Sequence, residues 1–165
     1  MMTMKNKKDN IAEYILWLWQ LEDYLRAFPQ KELSAGKADS SDIQFILELQ
    51  EMMHREGVMN GGHVQLAQNA LRELEELHAL VSEEDAMYRA AVIRITPLLN
   101  IFKSKTDRPT MSDVEACLTL LYQVMLLRLQ QKDISASTVE VQQQATQLLQ
   151  FLSRMYYTNF QISNE

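Results

Sequence analysis

The chain has few of the residues that interrupt helices. Its 165 residues include only four Gly and three Pro, against ten Met. Gly and Pro mark most turns, so their scarcity favours long helices over many short strands. A chain of this length is the size of one ordinary domain and buries roughly 70% of its unfolded-chain surface, enough for a hydrophobic core. We therefore predict an all-α fold in one domain that spans residues 1–165.

Cysteine, positive charge and long apolar runs are also scarce. The one cysteine, Cys117, falls at an apolar helical position, which is typical of a core residue in a reducing compartment and excludes an internal disulfide. The net charge of −6 offers no basic surface to nucleic acid or to an anionic membrane. No stretch approaches the ~18 apolar residues that span a bilayer. We predict a soluble, cytoplasmic protein that binds neither nucleic acid nor membrane.

Five capping patterns mark helix starts, since each places a capping residue three positions before an acid or amide. A weaker start follows the Gly61-Gly62 pair, and Pro97 predicts a kink inside the fourth helix. The five patterns are Asn10 with Glu13, Ser41 with Gln44, Ser82 with Asp85, Ser112 with Glu115 and Ser137 with Glu140.

These signals predict a bundle of about six helices. A polar loop is predicted over residues 30–40, and flexible ends are predicted over residues 1–9 and 159–165. The helices are expected at about 10–28, 41–56, 63–81, 83–102, 112–131 and 137–158.

Charged residues fall on apolar helix faces, where an unpaired ion is costly to bury. At about 100° per residue, Glu22 lies among apolar side chains of the first helix and Arg128 among those of the fifth. Arg94 shares the apolar face of the fourth helix, and Arg26 follows Glu22 by one turn. One interpretation is a structural salt-bridge network of Glu22, Arg26 and Arg128. The other is an inward site for a small anionic ligand, with Arg94 and Arg128 as its receptors.

Two histidines share such inward faces: His54 in the second helix and His78 in the third. A third, His63, begins the third helix after the two glycines. No pair has the spacing that places two metal ligands on one helical face. Nucleophile elbows, phosphate loops and dinucleotide fingerprints are absent. We predict no metal, cofactor or catalytic residue, and a candidate polar cluster of Glu22, Arg26, His54, His78, Arg94 and Arg128.

The first helix is rich in large aromatic residues. Tyr14, Trp17, Trp19 and Tyr24 point in several directions around its axis. They pack in the core of the monomer, or some of them face a second subunit in a homodimer formed through this helix.

Three segments of the chain resemble one known family. The first runs from Asn10 to Asp23, the second from Met53 to Val58 with Gly62-His63 after it, and the third from Leu126 to Ser135. Together they resemble a bacterial family catalogued as domain of unknown function 4924, over nearly the whole chain. The resemblance implies a small all-helical cytoplasmic protein and transfers no activity, substrate or cofactor.

The sequence thus leads to two hypotheses of function. In the first, the protein is a non-enzymatic interaction or scaffold module, and its inward Glu/Arg cluster is structural. In the alternative, it binds a small anionic ligand, or is an enzyme of unknown reaction, and the Glu/Arg/His cluster lines a pocket.

Overall fold

A computed structural model of the chain describes residues 4–30 and 40–163. These residues form six α-helices and no strand, so the predicted all-α class is confirmed. Residues 31–39, which make up most of the predicted loop, and the extreme ends at 1–3 and 164–165 lie outside the described part. The helices are α1 Ile11–Ala27, α2 Ser40–Glu56, α3 Gln65–Glu84, α4 Ala86–Ser104, α5 Asp113–Leu129 and α6 Ala136–Ser163.

Two of the predicted capping residues hold the starts of α1 and α5. The side chain of Asn10 accepts a hydrogen bond from the backbone N–H of Glu13 at 3.1 Å. Ser112 accepts in the same way from Glu115, also at 3.1 Å. Each satisfies one of the N–H groups that a helix start leaves without an intrahelical partner. Both predicted starts are therefore confirmed.

The junction between α3 and α4 lies three residues beyond its predicted position. Asp85, and not Ser82, caps α4, because its carboxylate accepts from the backbone N–H of Tyr88 at 2.9 Å. Ser82 remains inside α3. The guanidinium of Arg89 donates to the carbonyl oxygens of Ser82 and Glu83 at 2.7 and 2.6 Å, which satisfies carbonyls of the last turn of α3.

The last helix also differs from its predicted bounds. Its start is held by Ser135 and not by Ser137, since the Ser135 hydroxyl accepts from the backbone N–H of Thr138 at 3.2 Å. It continues to Ser163, past the predicted end at 158. In α4, Pro97 lies inside the continuous helix, and the kink expected there stays a prediction.

Helix α1 is central to the packing. It contacts α2, α3, α5 and α6, and α2 packs against α1. The shared core is built mainly from aliphatic side chains on all six helices. Burial of this apolar surface is the main driving force for the fold. The side chains of Ile11, Ile15, Leu18, Leu25, Leu49, Met53, Leu74, Ile95, Leu99, Leu118 and Leu152 are fully buried in it.

Candidate functional site

Glu22 is the fully buried charged residue of α1, with 0% of its surface exposed. Its predicted inward position is confirmed, but its predicted partners are wrong. One carboxylate oxygen pairs with Nδ1 of His63 at 2.7 Å, and the other accepts from the backbone N–H of Val64 at 2.8 Å. Neither Arg26 nor Arg128 forms an ion pair with it among the described residues. The buried charge is thus satisfied by the loop before α3.

The start of α3 explains why a carboxylate belongs at this position. Its N-cap residue, Val64, has no side chain that can accept a hydrogen bond. The N–H of Val64 donates to Glu22, and the N–H of Gln65 donates to Glu56 at the end of α2, at 2.6 Å. A helix start exposes free N–H groups and the positive end of the backbone dipole, where negative charge is favourable. Carboxylates from α1 and α2 therefore supply the cap that α3 lacks.

Arg26 holds the same loop one turn further along α1. It donates to the carbonyl of Val58 through Nε and Nη2, at 3.2 and 2.9 Å, and also to the carbonyl of Gly62. A third nitrogen, Nη1, pairs with Asp23 at 2.9 Å. We call the set of Trp19, Glu22 and Arg26 with the loop residues Val58 and Gly62–Val64 the α1–loop junction.

The imidazole of His63 is fixed on two sides within this junction. Its ring stacks on Trp19 at 4.8 Å between centroids and 20° between planes. On the α5 side, Tyr122 packs edge-on against Trp19, with 5.9 Å between the ring centroids. A carboxylate can only accept hydrogen bonds, so the proton on Nδ1 of His63 is the one donated to Glu22. Nε2 is left for a further partner, and a third of the side chain is exposed.

Beside His63 lies a cleft of about 700 Å³. It is formed by the loop before α3, by α3 itself and by the segment that leads into α5. Arg72 contributes one donor to Asn69 at 3.0 Å, and Arg108 pairs with Glu115 at 3.1 Å. Each guanidinium has five N–H donors, so both keep donors free for a ligand. The remaining side chains of the cleft include Trp19, Gln65, Gln68, Leu71, Glu75, Thr110, Met111 and Ser112.

Comparison with known proteins identifies the family. The family model described as Domain of unknown function (DUF4924) matches residues 1–161. The chain belongs to this family. No curated protein and no solved structure gives a significant match.

Three members of the predicted polar cluster lie away from Glu22, at the surface. His54, Arg94 and Arg128 are all exposed, so their predicted inward positions are wrong. Arg128 donates to Gln142 at 3.0 Å on the outside of the bundle. A helical wheel gives the direction of a side chain around the helix axis, but not how deeply that side of the helix is buried. Arg128 lies in the last turn of α5 next to the exposed Leu129, and α4 carries apolar residues on its outer face as well as its inner one.

His78 forms a separate contact further along α3. Its Nδ1 lies 2.7 Å from the hydroxyl of Tyr88, and the two rings meet edge to face. Burial lowers the pKa of His78, although the nearby carboxylates of Asp113 and Glu75 oppose that shift. Burial also raises the pKa of Tyr88, so the tyrosine donates and the neutral imidazole accepts. His78 is a hydrogen-bonded imidazole at the edge of the core.

The sequence did not mark His63, Arg72 or Arg108 as members of a site. His63 was visible only as a histidine after two glycines. One signal could have pointed to it: α3 starts at Val64-Gln65 with no capping side chain, so its first N–H groups need acceptors from elsewhere in the chain. Glu22, a carboxylate already placed on an apolar face, is a suitable acceptor.

The large aromatic residues of α1 are mostly used inside the monomer. Tyr14, Trp17 and Trp19 are buried, and Trp17 stacks on Phe45 of α2 at 5.2 Å. Tyr24 remains exposed. The buried rings are packed within the monomer, and a homodimer formed through this helix stays a prediction.

Two findings concern metals and membranes. Among the described residues, no three His, Cys, Asp or Glu side chains are grouped so that they could hold a metal ion. In the same part of the chain, no helix combines the length and hydropathy that crossing a membrane requires.

Cys117 is buried, and burial raises the pKa of its thiol to about 12, so this residue is not a reactive thiolate.

Proposed function

We propose that the protein binds a small anionic molecule in the cleft beside the α1–loop junction. The observation that carries this proposal is how the ring of His63 is held and where it faces. Its ring is fixed by Trp19 and its Nδ1 is held by a fully buried carboxylate, while part of the imidazole faces the cleft. An imidazole that is only structural does not need this exposure. Nε2 is the ring nitrogen left for the ligand, and it can donate to an anion when both ring nitrogens carry a proton, since a neutral ring protonated on Nδ1 can only accept there.

The charges around the cleft support an anion of low charge. Arg72 and Arg108 offer guanidinium forks, which bind carboxylate or phosphate oxygens in pairs. Glu75 and Glu115 line the same cleft and offset these two positive charges. A polyanion would meet both carboxylates and the net charge of −6. The ligand class that fits best is a small carboxylate or a single phosphate group.

Titration calorimetry with acetate, inorganic phosphate and a linear polyphosphate tests the proposal. We expect one of the two small anions to bind with saturation, and polyphosphate to bind no more tightly. Arg108→Gln should weaken binding about 10- to 100-fold, because it removes a charge-assisted hydrogen bond of about 1.5–3 kcal/mol. Arg55→Gln is the matched control, since Arg55 is exposed at the end of α2 and does not line the cleft.

Two outcomes would contradict the proposal. One is the absence of saturable binding by either small anion. The other is an equal loss of binding in the Arg55 and Arg108 variants, which would indicate attraction to surface charge and no defined site. The interaction role that the sequence favoured first, and the cytoplasmic location, stay predictions beside this one.

A further inference from the structure

The outer face of α4 carries large apolar side chains in contact with solvent. Met87 is 84% exposed, Ile93 66% and Ile101 56%. Ala90 and Pro97 are exposed between them. The core side of the same helix is formed by different residues, among them Tyr88, Ile95 and Leu99. Helix α4 is thus apolar on two faces, and no described part of the chain covers the outer one.

The spacing on this face is that of a helix-packing seam. Residues 87, 90, 94, 97, 101 and 104 alternate steps of three and four, which places them on one line along the helix. Single exposed apolar residues are ordinary on a protein surface. A line of them that runs for roughly 21 Å along one helix is typical of a surface that receives another helix. We call these six positions the α4 seam.

We propose that the occupant of the α4 seam is the α4 seam of a second copy of this chain, packed antiparallel. In such a pair the two ends of the seam exchange places, so a residue near one end meets a residue near the other. The register that places Ala90 opposite Ile101 of the second copy matches a small side chain with a large one. The same register matches Met87 with Ser104 and Arg94 with Pro97, so large side chains meet small or compact ones in every layer.

Charge supports the antiparallel direction. Glu83 and Glu84 are exposed just before α4, and Lys105 is exposed just after it. None of the three forms an ion pair among the described residues. In the proposed register, Lys105 lies level with residue 86 of the second copy, which follows Glu83 and Glu84 at the end of α3 by two to three residues along the chain. The two-fold axis repeats this match at the other end.

Arg94 sets a limit on the register. Direct opposition of the two Arg94 side chains would place like charges in one layer, which is destabilising. In the proposed register the two residues are offset by three positions, roughly 4.5 Å along the axis. Each long side chain can leave the seam toward water. A charged residue in an otherwise apolar seam is a known device for selecting one register over others.

The expected dimer is weak. One helix packed on one helix is a small contact, at the low end of specific interfaces, which begin near 1,200 Å² of total buried surface. The equilibrium should therefore be observed in the micromolar range, from about 1 µM to about 500 µM of protein.

Sedimentation equilibrium over this range of protein concentration tests the proposal. Two single variants and the double variant exchange the large and small side chains at positions 101 and 90. Ile101→Ala leaves Ala opposite Ala in two layers and should raise the dimer dissociation constant at least about tenfold. Ala90→Ile places two large side chains opposite each other in the same two layers and should also weaken the dimer. The double variant restores one large and one small side chain in each layer, so it should recover affinity close to that of the original chain.

Three results would overturn the proposal. The first is a monomer at every concentration, and the second is a dimer whose dissociation constant does not change in Ile101→Ala. The third is a double variant in which the losses of affinity of the two single variants simply add. If another protein covers the seam, the chain alone is monomeric and the first result is obtained. Gln147→Ala on the exposed side of α6 is the control, and it should leave the dissociation constant unchanged. Circular dichroism of each variant at low concentration verifies that the monomer is folded.

Discussion

The α1–loop junction and the α4 seam depart from the usual distribution of residues in opposite ways. In the junction a carboxylate, Glu22, is fully buried, and in the seam an isoleucine, Ile101, is more than half exposed. The buried charge has its hydrogen bonds made inside the chain, by His63 and Val64. The exposed apolar line has no cover among the described residues.

This difference separates structural from intermolecular roles. A buried polar group that is fully bonded stabilises one arrangement of the chain, and its removal leaves its partners unsatisfied. A line of exposed apolar groups adds little to the stability of the monomer, and a contiguous apolar surface is typical of an interaction site. Substitutions in the two regions should therefore have opposite effects on folding and on association.

Replacement of Glu22 should give the largest loss of stability. Glu22→Leu leaves His63 and the N–H of Val64 without their acceptor, and we expect a loss of about 3–5 kcal/mol in the free energy of unfolding. Glu13→Leu on the exposed side of α1 is the matched change, with an expected effect within about 0.5 kcal/mol. Urea denaturation measures both. Similar midpoints for the two variants would show that the junction does not stabilise the fold.

A pair of neighbouring isoleucines compares the two faces of α4 directly. Ile95 is fully buried and Ile93 is exposed. Ile95→Ala should lower the free energy of unfolding by about 2–5 kcal/mol, because it opens a cavity in the core. Ile93→Ala should change it by no more than about 0.5 kcal/mol in the monomer. A large effect at Ile93 would mean that the outer face of α4 is covered within the chain.

Arg26 tests how tightly α1 holds the loop. Arg26→Met removes the donors to the carbonyls of Val58 and Gly62, so we expect a loss of about 1–3 kcal/mol. Hydrogen exchange should become faster in the loop before α3 while the core of α5 stays protected. Arg55→Met serves as the control because Arg55 is exposed and its one ion pair is long, at 4.0 Å. Unchanged hydrogen exchange in the loop would show that the hydrogen bonds of Arg26 do not stabilise it.

The smallest expected effect is a pH dependence from His78. Because burial lowers its pKa, the unfolded chain binds more protons than the folded one as the pH falls below the ordinary value of about 6.5. The contribution of His78 to stability is therefore lost as the medium becomes more acidic. His78→Gln should reduce the drop in melting temperature between about pH 7 and pH 5, and His54→Gln at an exposed position should not. An identical drop in all three proteins would contradict this role.

The sequence was sufficient for the class of fold and for the direction of one key side chain. Capping residues and apolar periodicity located the six helices, with errors of a few residues where Asp85 or Ser135 capped in place of a nearby serine. The wheel placed Glu22 inward correctly. It could not identify its partners, because His63 and the N–H of Val64 lie about 40 residues away in a loop whose position depends on the packing of three helices.

The same limit explains the errors at Arg94 and Arg128. A wheel reports direction around an axis and does not report how deep each side of the helix lies. For α4 the periodicity of the outer seam is as regular as that of the inner face, so a wheel does not distinguish the seam from the core. The cleft was also beyond the sequence, since it needs Arg72 on α3 and Arg108 before α5 to be brought next to His63.

The most direct test of the account is the response of the His63 ring nitrogens to a bound anion. Long-range ¹H–¹⁵N spectra resolve the two nitrogens of each imidazole. We predict that Nδ1 of His63 carries a proton before and after addition of inorganic phosphate or acetate, and that Nε2 shifts with saturation as the anion binds. A ring without a proton on Nδ1, or an Nε2 resonance that ignores both anions, would contradict the account.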